Sequence, residues 1–264
     1  MAGATDTEQA NEQATAVAFY VYGVVPNDVE MTEDAHGVGD PPAEVQLVRH
    51  GTVAAIVSEV GLNRPLGPQD LMSHQELLDS VVAVAPVLPM RFGAVMTDPE
   101  AVANELLAPN EGGFAAALAE LEGRAQFVIK AIYIDRAVLP EIVSRNPEAA
   151  SLREQIRSVD DENATRDARI RLGELVTNEI ATMRDADTRE AVEALSPHAE
   201  ATNLREPSDE RDAVHLAVLV DTARQGDLEA AVGKLAGDWA GRVTTRLLGP
   251  MAPYDFVASS SPEG

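Results

Sequence analysis

The chain has 264 residues with 44 acidic and 20 basic side chains, a formal charge of -24, and no cysteine. The absence of thiols excludes disulfides, thiolate zinc sites, iron–sulfur clusters and a cysteine nucleophile, and an acidic field repels nucleic acid and anionic lipid, whose binding depends on neutralising phosphates. The longest apolar stretches fall well short of the roughly 20 residues of a spanning helix, and the opening MAGATDTEQANEQATA has neither the basic start nor the apolar heart of a signal peptide, so the expectation is a soluble, cytoplasmic protein that binds neither nucleic acid nor membrane.

Lys130 and Lys234 are the only lysines, so arginine is nearly the sole cation. Two accounts fit this balance. One is partner choice; the other is a salt-rich cytoplasm, since in molar salt the Debye length falls to about 3 Å and self-repulsion is screened. The second, an extreme halophile, is the preferred reading.

The polar residues 1–16 predict a disordered tail. VAFYVYGVV, 17–25, is β-branched and aromatic and predicts a buried strand. The acidic stretch 27–44, with Pro41-Pro42, reads as a loop long enough to be mobile or a site; its HGVG lacks the GK[ST] and the helix that a phosphate cradle needs. VQLVRHGTVAAIVSEV, 45–60, predicts two strands turning at His50-Gly51, with His50 in solvent. Over 68–85 a helical period places Leu71, Leu78, Val81, Val82 and Ala85 on one stripe, with Asp70 off it and His74 at its edge.

In APVLPMRFGAVMTDP, 85–99, Leu88, Met90 and Phe92 alternate with Val87, Pro89 and Arg91, as in a half-covered strand. Pro89 cannot donate to a ladder, so this strand lies at an edge or carries a bulge. Gly93 suggests close backbone approach or a positive φ. Asp98 and Pro99 open a helix over 99–107, and a second helix covers 114–122. The pattern restarts at 126–135, a strand with Phe127, Ile129, Ala131 and Tyr133 on one face, which places a domain boundary near 123. Helices over about 136–195, with Ile170, Leu175, Val176, Ile180 and Met183 as an apolar face, predict a helical hairpin or coiled-coil-like arm. An exposed loop at 198–212, a strand at 213–221, a helix at 227–242 capped by Asp227, a strand at 243–249 and a loose tail at 258–264 complete the chain.

Without a βαβ repeat or a G-x-G-x-x-G fingerprint, the pattern favours an α+β fold in two domains, 17–123 and 124–257. Both are expected to be modified ferredoxin-like sheets covered by helices. Nucleophilic catalysis has no support: Ser73 and His74 are adjacent on a helix and point about 100° apart. The histidines at 36, 50, 74, 198 and 215 show no ligand spacing, and carboxylate pairs such as Asp185 and Asp187 mean little in so acidic a chain. No cofactor, metal or catalytic residue is expected, and His215 reads as a buried neutral imidazole bonded to backbone. Arg91 admits two readings: a peg tying strand to helix, which the chemistry favours, or part of a contact surface.

YVYGVV in the first strand, SHQELLDSVVAVAPVLPMRFGAVMTDPEAV at 73–102 and RLLGPMAPYDFV at 246–257 resemble, in order and spacing, the GvpF/GvpL family of gas vesicle proteins. His74, Leu88, Pro89, Arg91, Phe92 and Gly93 match the family's central motif; Gly249, Pro250, Pro253, Tyr254 and Phe256 match its C-terminal one. Met251-Ala252 stands where the family often has an aromatic residue and proline. The resemblance spans about 17–257, and the long helical arm and the 198–212 loop favour a haloarchaeal GvpL-like branch. It implies an accessory protein of gas vesicle assembly, in the cytoplasm or on the vesicle. Such a protein would act as chaperone or interaction platform for the apolar shell subunit GvpA or other accessory Gvp proteins. Its rivals are a minor structural component of the finished vesicle and an enzyme on a ferredoxin-like scaffold with a pocket at His74 and Arg91. The strand at 87–95 and the PYDFV segment are the candidate contacts.

Overall fold

Strand β1 (Val17–Pro26), the branched and aromatic run, lies in the middle of the first sheet. This is seen in a computed structural model that describes residues 17–257 apart from 33, 62–64, 160 and 162; the tails expected at 1–16 and 258–264 lie outside the described residues. β2 (Val45–His50) and β3 (Val53–Gly61) form a hairpin, and β3 pairs antiparallel with β1 through a bulge between Val21 and Gly23. His50 lies 3.9 Å from the Glu111 carboxylate at the surface.

Helix α1 (Pro68–Val82) covers this sheet with Asp70, His74, Leu77, Leu78, Val81 and Val82. The stripe expected through Leu71 is displaced: Leu71 is exposed and Asp70 is buried. Asp70 tolerates burial because its carboxylate accepts from Gly67 N–H at the helix start (2.8 Å) and from Gly39 N–H (3.0 Å), charge-assisted bonds that offset desolvation.

The stretch 27–44 is folded in rather than free. Val38 is fully buried and its N–H donates to the Tyr22 hydroxyl at 2.7 Å, Gly37 N–H donates to the Ala43 carbonyl, and His36 bridges to Glu44. With the amides of Gly37, Val38 and Gly39 all used internally, the HGVG turn cannot cradle a phosphate.

The single alternating strand read over 87–95 is split in two. β4 (Leu88–Pro89) and β5 (Val95–Met96) each pair antiparallel with β1. Val87, Leu88 and Pro89 are all buried, and the chain loops outward from Arg91 to Ala94. Pro89 has no N–H to carry the ladder on. Asp98 then caps α2 (Pro99–Ala101), accepting from Ala101 N–H at 2.8 Å. A π-helical turn (Val102–Leu107) leads into α3 (Ala108–Leu121), so the two separate helices read from the sequence are one continuous helical stretch.

β6 (Arg124–Tyr133) opens the second sheet. Ala125, Phe127, Ile129, Ala131 and Tyr133 face its core, on the alternation read from the sequence. Three helices follow, α4 (Asp135–Arg145), α5 (Pro147–Arg157) and α6 (Arg166–Leu195). The second half of α6 enters the core through Met183, Ala191 and Leu195, with Leu172, Val176 and Ile180 packed beside it, whereas Ile170 is exposed. Its first half runs beside α5, with Arg171 on Glu148 and Glu179 on Asn146, and its second half packs on its own sheet, with Arg184 and Thr188 bonded to the carbonyls of Asp212 and Ala213.

The expected loop at 198–212 contains a strand, β7 (Ala201–Leu204), paired antiparallel with β8 (Asp212–Asp221). Its polar edge residues gave no apolar alternation to read. α7 (Gln225–Asp238) starts two residues before Asp227, which sits in the first turn and is not the cap, and β9 (Val243–Met251) closes the sheet. His215 bonds the Glu206 carbonyl through Nδ1 at 3.2 Å but is only part-buried.

The strand orders are β2-β3-β1-β4, with β5 also on β1, and β7-β8-β6-β9. The protein is thus a mixed α/β chain with two antiparallel sheets. The described residues divide into two compact units, those up to Gly123 with Pro250 to Val257, and those of Arg124–Gly249. The segment after Gly249 belongs to the first unit, where the sequence reading kept it in the second.

Candidate functional site at the His74 cluster

Within the first unit the two motifs meet on one imidazole. Tyr20 and Tyr22, two residues apart on β1, point to the same side of the sheet, and His74 descends from α1 onto them. The Tyr22 and His74 rings stack with centroids 5.6 Å apart, and Tyr20 meets His74 edge-on at 5.6 Å. Phe92, from the loop between β4 and β5, packs edge-on against His74 at 5.8 Å, and Tyr254, from the C-terminal motif, lies 6.2 Å away.

Hydrogen bonds fix the cluster. The Tyr20 hydroxyl accepts from Gly93 N–H at 3.0 Å and bonds His74 Nδ1 at 2.9 Å. Its own proton has no other acceptor among the described residues, so it goes to Nδ1 and the imidazole proton sits on Nε2. That Nε2 is buried with no hydrogen bond of ordinary geometry among the described residues. Burial lowers the His74 pKa to about 4, with the nearby Met90 backbone acting weakly in the opposite direction, so the ring is neutral at pH 7. Burial likewise pushes the Tyr20 phenol up to about 12 and raises Tyr22 and Tyr254. The Tyr22 hydroxyl is shared with Ser58 Oγ at 2.7 Å.

The C-terminal segment is held to α1. Asp79 accepts from Ala252 N–H at 2.9 Å, and Ala252 is fully buried. The PYDFV stretch is therefore docked against the first unit. Gly249, at φ +124°, lies where a Cβ would come 2.8 Å from the Gln126 carbonyl oxygen and 2.9 Å from Phe127 Cδ1. Pro250 is exposed, Pro253 is buried, and Phe256 closes the turn with its N–H on the Pro253 carbonyl.

The structure therefore brings His74, Phe92, Gly93 and Tyr254 together, while Leu88 and Pro89 are buried on β4. Arg91 stands apart. It is exposed, and its guanidinium has no hydrogen-bond or ion-pair partner among the described residues, so it does not serve as the expected peg. A Cβ added at Gly93 would meet open space, and the backbone there has φ +88°; a left-handed turn, and not close approach, is what requires glycine. Tyr20 and Tyr22, which the sequence reading did not single out, carry the polar contacts. Their signal was the i, i+2 pair of tyrosines on one face of an apolar strand. His74 and Arg91 do not converge on a pocket: the imidazole is enclosed by rings and the guanidinium faces outward.

A mixed α/β protein emerges whose sequence motifs knit one unit together around a neutral histidine. The family model described as "Gas vesicle synthesis protein GvpL/GvpF" matches residues 18–258, and the chain belongs to that family. It is similar to gas vesicle protein F of a Streptomyces species, with 32% identity over 91% of this chain and 100% of that protein. It is also similar to gas vesicle protein F of Dolichospermum flosaquae, 21% identical over 93% of this chain and 100% of that one. The fold matches crystal structures of GvpF from Anabaena, with a TM-score of 0.72, 20% identity and coverage of 90% and 96% of the two chains, and from Microcystis aeruginosa, with 0.69, 18%, 90% and 98%. The matched family joins both branches and does not separate L from F. Its membership assigns this chain a role in gas vesicle formation, and among the described residues no helix is long and apolar enough to cross a membrane.

Proposed function

We propose that this protein serves gas vesicle assembly by holding an apolar partner, the shell subunit GvpA or another accessory Gvp protein, at the β4–β5 edge of its first unit. The observation that carries this reading is the edge itself. Among the described residues β4 and β5 pair only with β1; the loop between them exposes Arg91 and Phe92, and β5 itself exposes Val95, with Phe92 and Val95 keeping 37% and 46% of their surface in solvent. An apolar segment can add to such an edge, with backbone bonds giving affinity and side chains selecting the partner. Pro89 and the short strands discourage pairing of the edge with itself. The second unit's order of one strand, helices, two strands, one helix and one strand, in the sheet order above, supports a ferredoxin-like reading. The first unit supports a modified one in which the folded-in stretch 27–44 takes the place of the first helix. The acidic surface suits a salt-rich cytoplasm.

The test is capture of purified GvpA in molar salt by wild type, Arg91→Ala and Val95→Asp. Both residues are exposed, so the variants should give unchanged circular dichroism and melting while capture falls about tenfold or more. Folded variants that retain full capture refute the edge as the contact. Probing floated vesicles and the remaining lysate separately distinguishes a protein that acts during assembly from one that stays on the finished wall.

A further inference from the structure

A hollow in the second unit, between α6 and the β7–β8 turn, gathers Arg184, Arg189 and Arg205 beside His215. In a chain with 44 acidic and 20 basic residues, three arginines here outnumber the two lining carboxylates, Asp185 and Asp212. Other arginines of the unit meet carboxylates: Arg145 pairs with Glu141, Arg171 with Glu148 and Glu174, and Arg242 with Asp187. At the hollow the pattern changes. Arg184 donates through Nε to the Asp212 carbonyl at 2.6 Å and through Nη2 to the Glu210 carbonyl at 2.7 Å, and Arg189 donates through Nε to the Asp185 carbonyl at 3.1 Å.

Backbone carbonyls orient a guanidinium without cancelling its charge. Among the described residues neither Arg184 nor Arg189 makes an ion pair, which leaves Arg184 Nη1 and both terminal nitrogens of Arg189 for a ligand. The carboxylate of Asp212 does not compete for them: Ser208 N–H and Oγ and Asp209 N–H bond its Oδ2 at 2.8, 2.8 and 3.1 Å, and Lys130 Nζ lies 3.7 Å from Oδ1. His215 donates through Nδ1 to the Glu206 carbonyl, so its Nε2 accepts from Arg205 Nη1 at 3.4 Å. Beside these cations, Asp185 and Thr188 the lining has an apolar part, with Leu204 57% exposed and Pro207 and Val214 next to it.

We propose that this hollow binds a carboxylate-bearing peptide segment, with Arg184 and Arg189 taking the carboxylate and Leu204 packing on a neighbouring apolar side chain. Arginine forks match carboxylates in plane and number of donors, and the apolar lining favours a peptide over a bare oxyanion. The rest of this protein repels such a ligand, so saturable binding reports the site itself.

The probe is a fluorescein-labelled hexapeptide of alternating leucine and glutamate, followed by anisotropy against the full chain at 0.1 M salt, with a leucine–glutamine hexapeptide as control. Wild type should bind the glutamate peptide saturably and the glutamine peptide at least tenfold more weakly. Arg189→Gln, at an exposed position, should lose about tenfold in affinity with its melting unchanged, the size expected for one charge-assisted bond. Arg184→Gln should lose as much or more, with circular dichroism reporting whether it stays folded. No saturable binding by wild type, or equal binding by Arg189→Gln, overturns the proposal. So does binding of inorganic phosphate that is sensitive to Arg189→Gln while the peptide does not bind, because the site would then be one for small oxyanions.

Discussion

The Tyr20 hydroxyl lies 2.9 Å from His74 Nδ1 and 3.0 Å from the amide of Gly93, so one phenol joins the central strand, the helix above it and the loop that carries the exposed arginine. This ties a motif legible in the sequence to a residue outside it. It also makes the cluster sensitive to the protonation of one ring.

His74 should give stability a pH dependence that its replacement abolishes. Below pH 6.5 the unfolded ring takes up a proton that the buried ring refuses until about pH 4. Its contribution is therefore complete above pH 6.5 and lost as pH falls towards 4, by roughly 3 kcal/mol at most. The charged or titratable neighbours are Tyr20, Tyr22, Tyr254, Asp70 and Asp79; the phenols do not ionise in this window, and the carboxylates are common to wild type and variant. Urea unfolding between pH 7 and 4.5 should show a shallower fall for His74→Gln than for wild type. Parallel profiles would remove the histidine from this account.

Tyr20→Phe should cost about 1–3 kcal/mol, because it leaves a buried imidazole nitrogen without its donor and Gly93 N–H without its acceptor. The loss should be local as well as global. Amide exchange at Gly93 should quicken relative to β1, and an unchanged Gly93 rate in a destabilised variant would mean that the phenol acts by packing alone.

Much of this was readable from residue order, and the failures have physical causes. The period of α1 puts His74 at the edge of its apolar stripe, and the ring is buried; Asp70 and Leu71 exchange roles, because a carboxylate that accepts two amide protons can be buried while a leucine at the rim need not be. Alternation across Phe127, Ile129, Ala131 and Tyr133 identified the face of β6. β7 escaped because ATNL owes its strand conformation to pairing with β8, and no local pattern reports a partner. The aromatic run around Tyr20 and Tyr22 predicts a buried strand but not their hydroxyl partners, which come from α1, from loops at Val38 and Gly93, and from Ser58 on β3. The docking of Ala252 on Asp79 was equally hidden, since nothing around position 252 announces an acceptor on α1.

The second unit has its own buried polar centre. Arg242 donates two parallel bonds of 2.7 Å to Asp187, and the Tyr133 hydroxyl donates to the same carboxylate at 2.6 Å; burial, with that carboxylate, pushes the Tyr133 pKa well above its ordinary value. Arg242→Ala strands a buried carboxylate and should cost about 2–4 kcal/mol, whereas Asp187→Asn with Arg242→Leu should recover part of the loss by removing both charges. Chemical denaturation of the two variants checks this, and a double variant less stable than Arg242→Ala would show that the pair contributes more than mutual neutralisation.

Gly249 should tolerate no side chain. Its φ of +124° lies outside the range L residues favour, and an added Cβ would sit 2.8 Å from the Gln126 carbonyl oxygen and 2.9 Å from Phe127 Cδ1. The first contact is backbone in the middle of a sheet and the second a buried core ring, so neither can yield cheaply. Gly249→Ala should lower stability by about 1–3 kcal/mol, more than the same change at Gly237 in α7, where open space surrounds the site and alanine is the better helix former by up to about 1 kcal/mol. Melting curves of the two variants should therefore move in opposite directions, and a Gly249→Ala protein that melts with wild type would show that β9 can shift away from β6 without penalty.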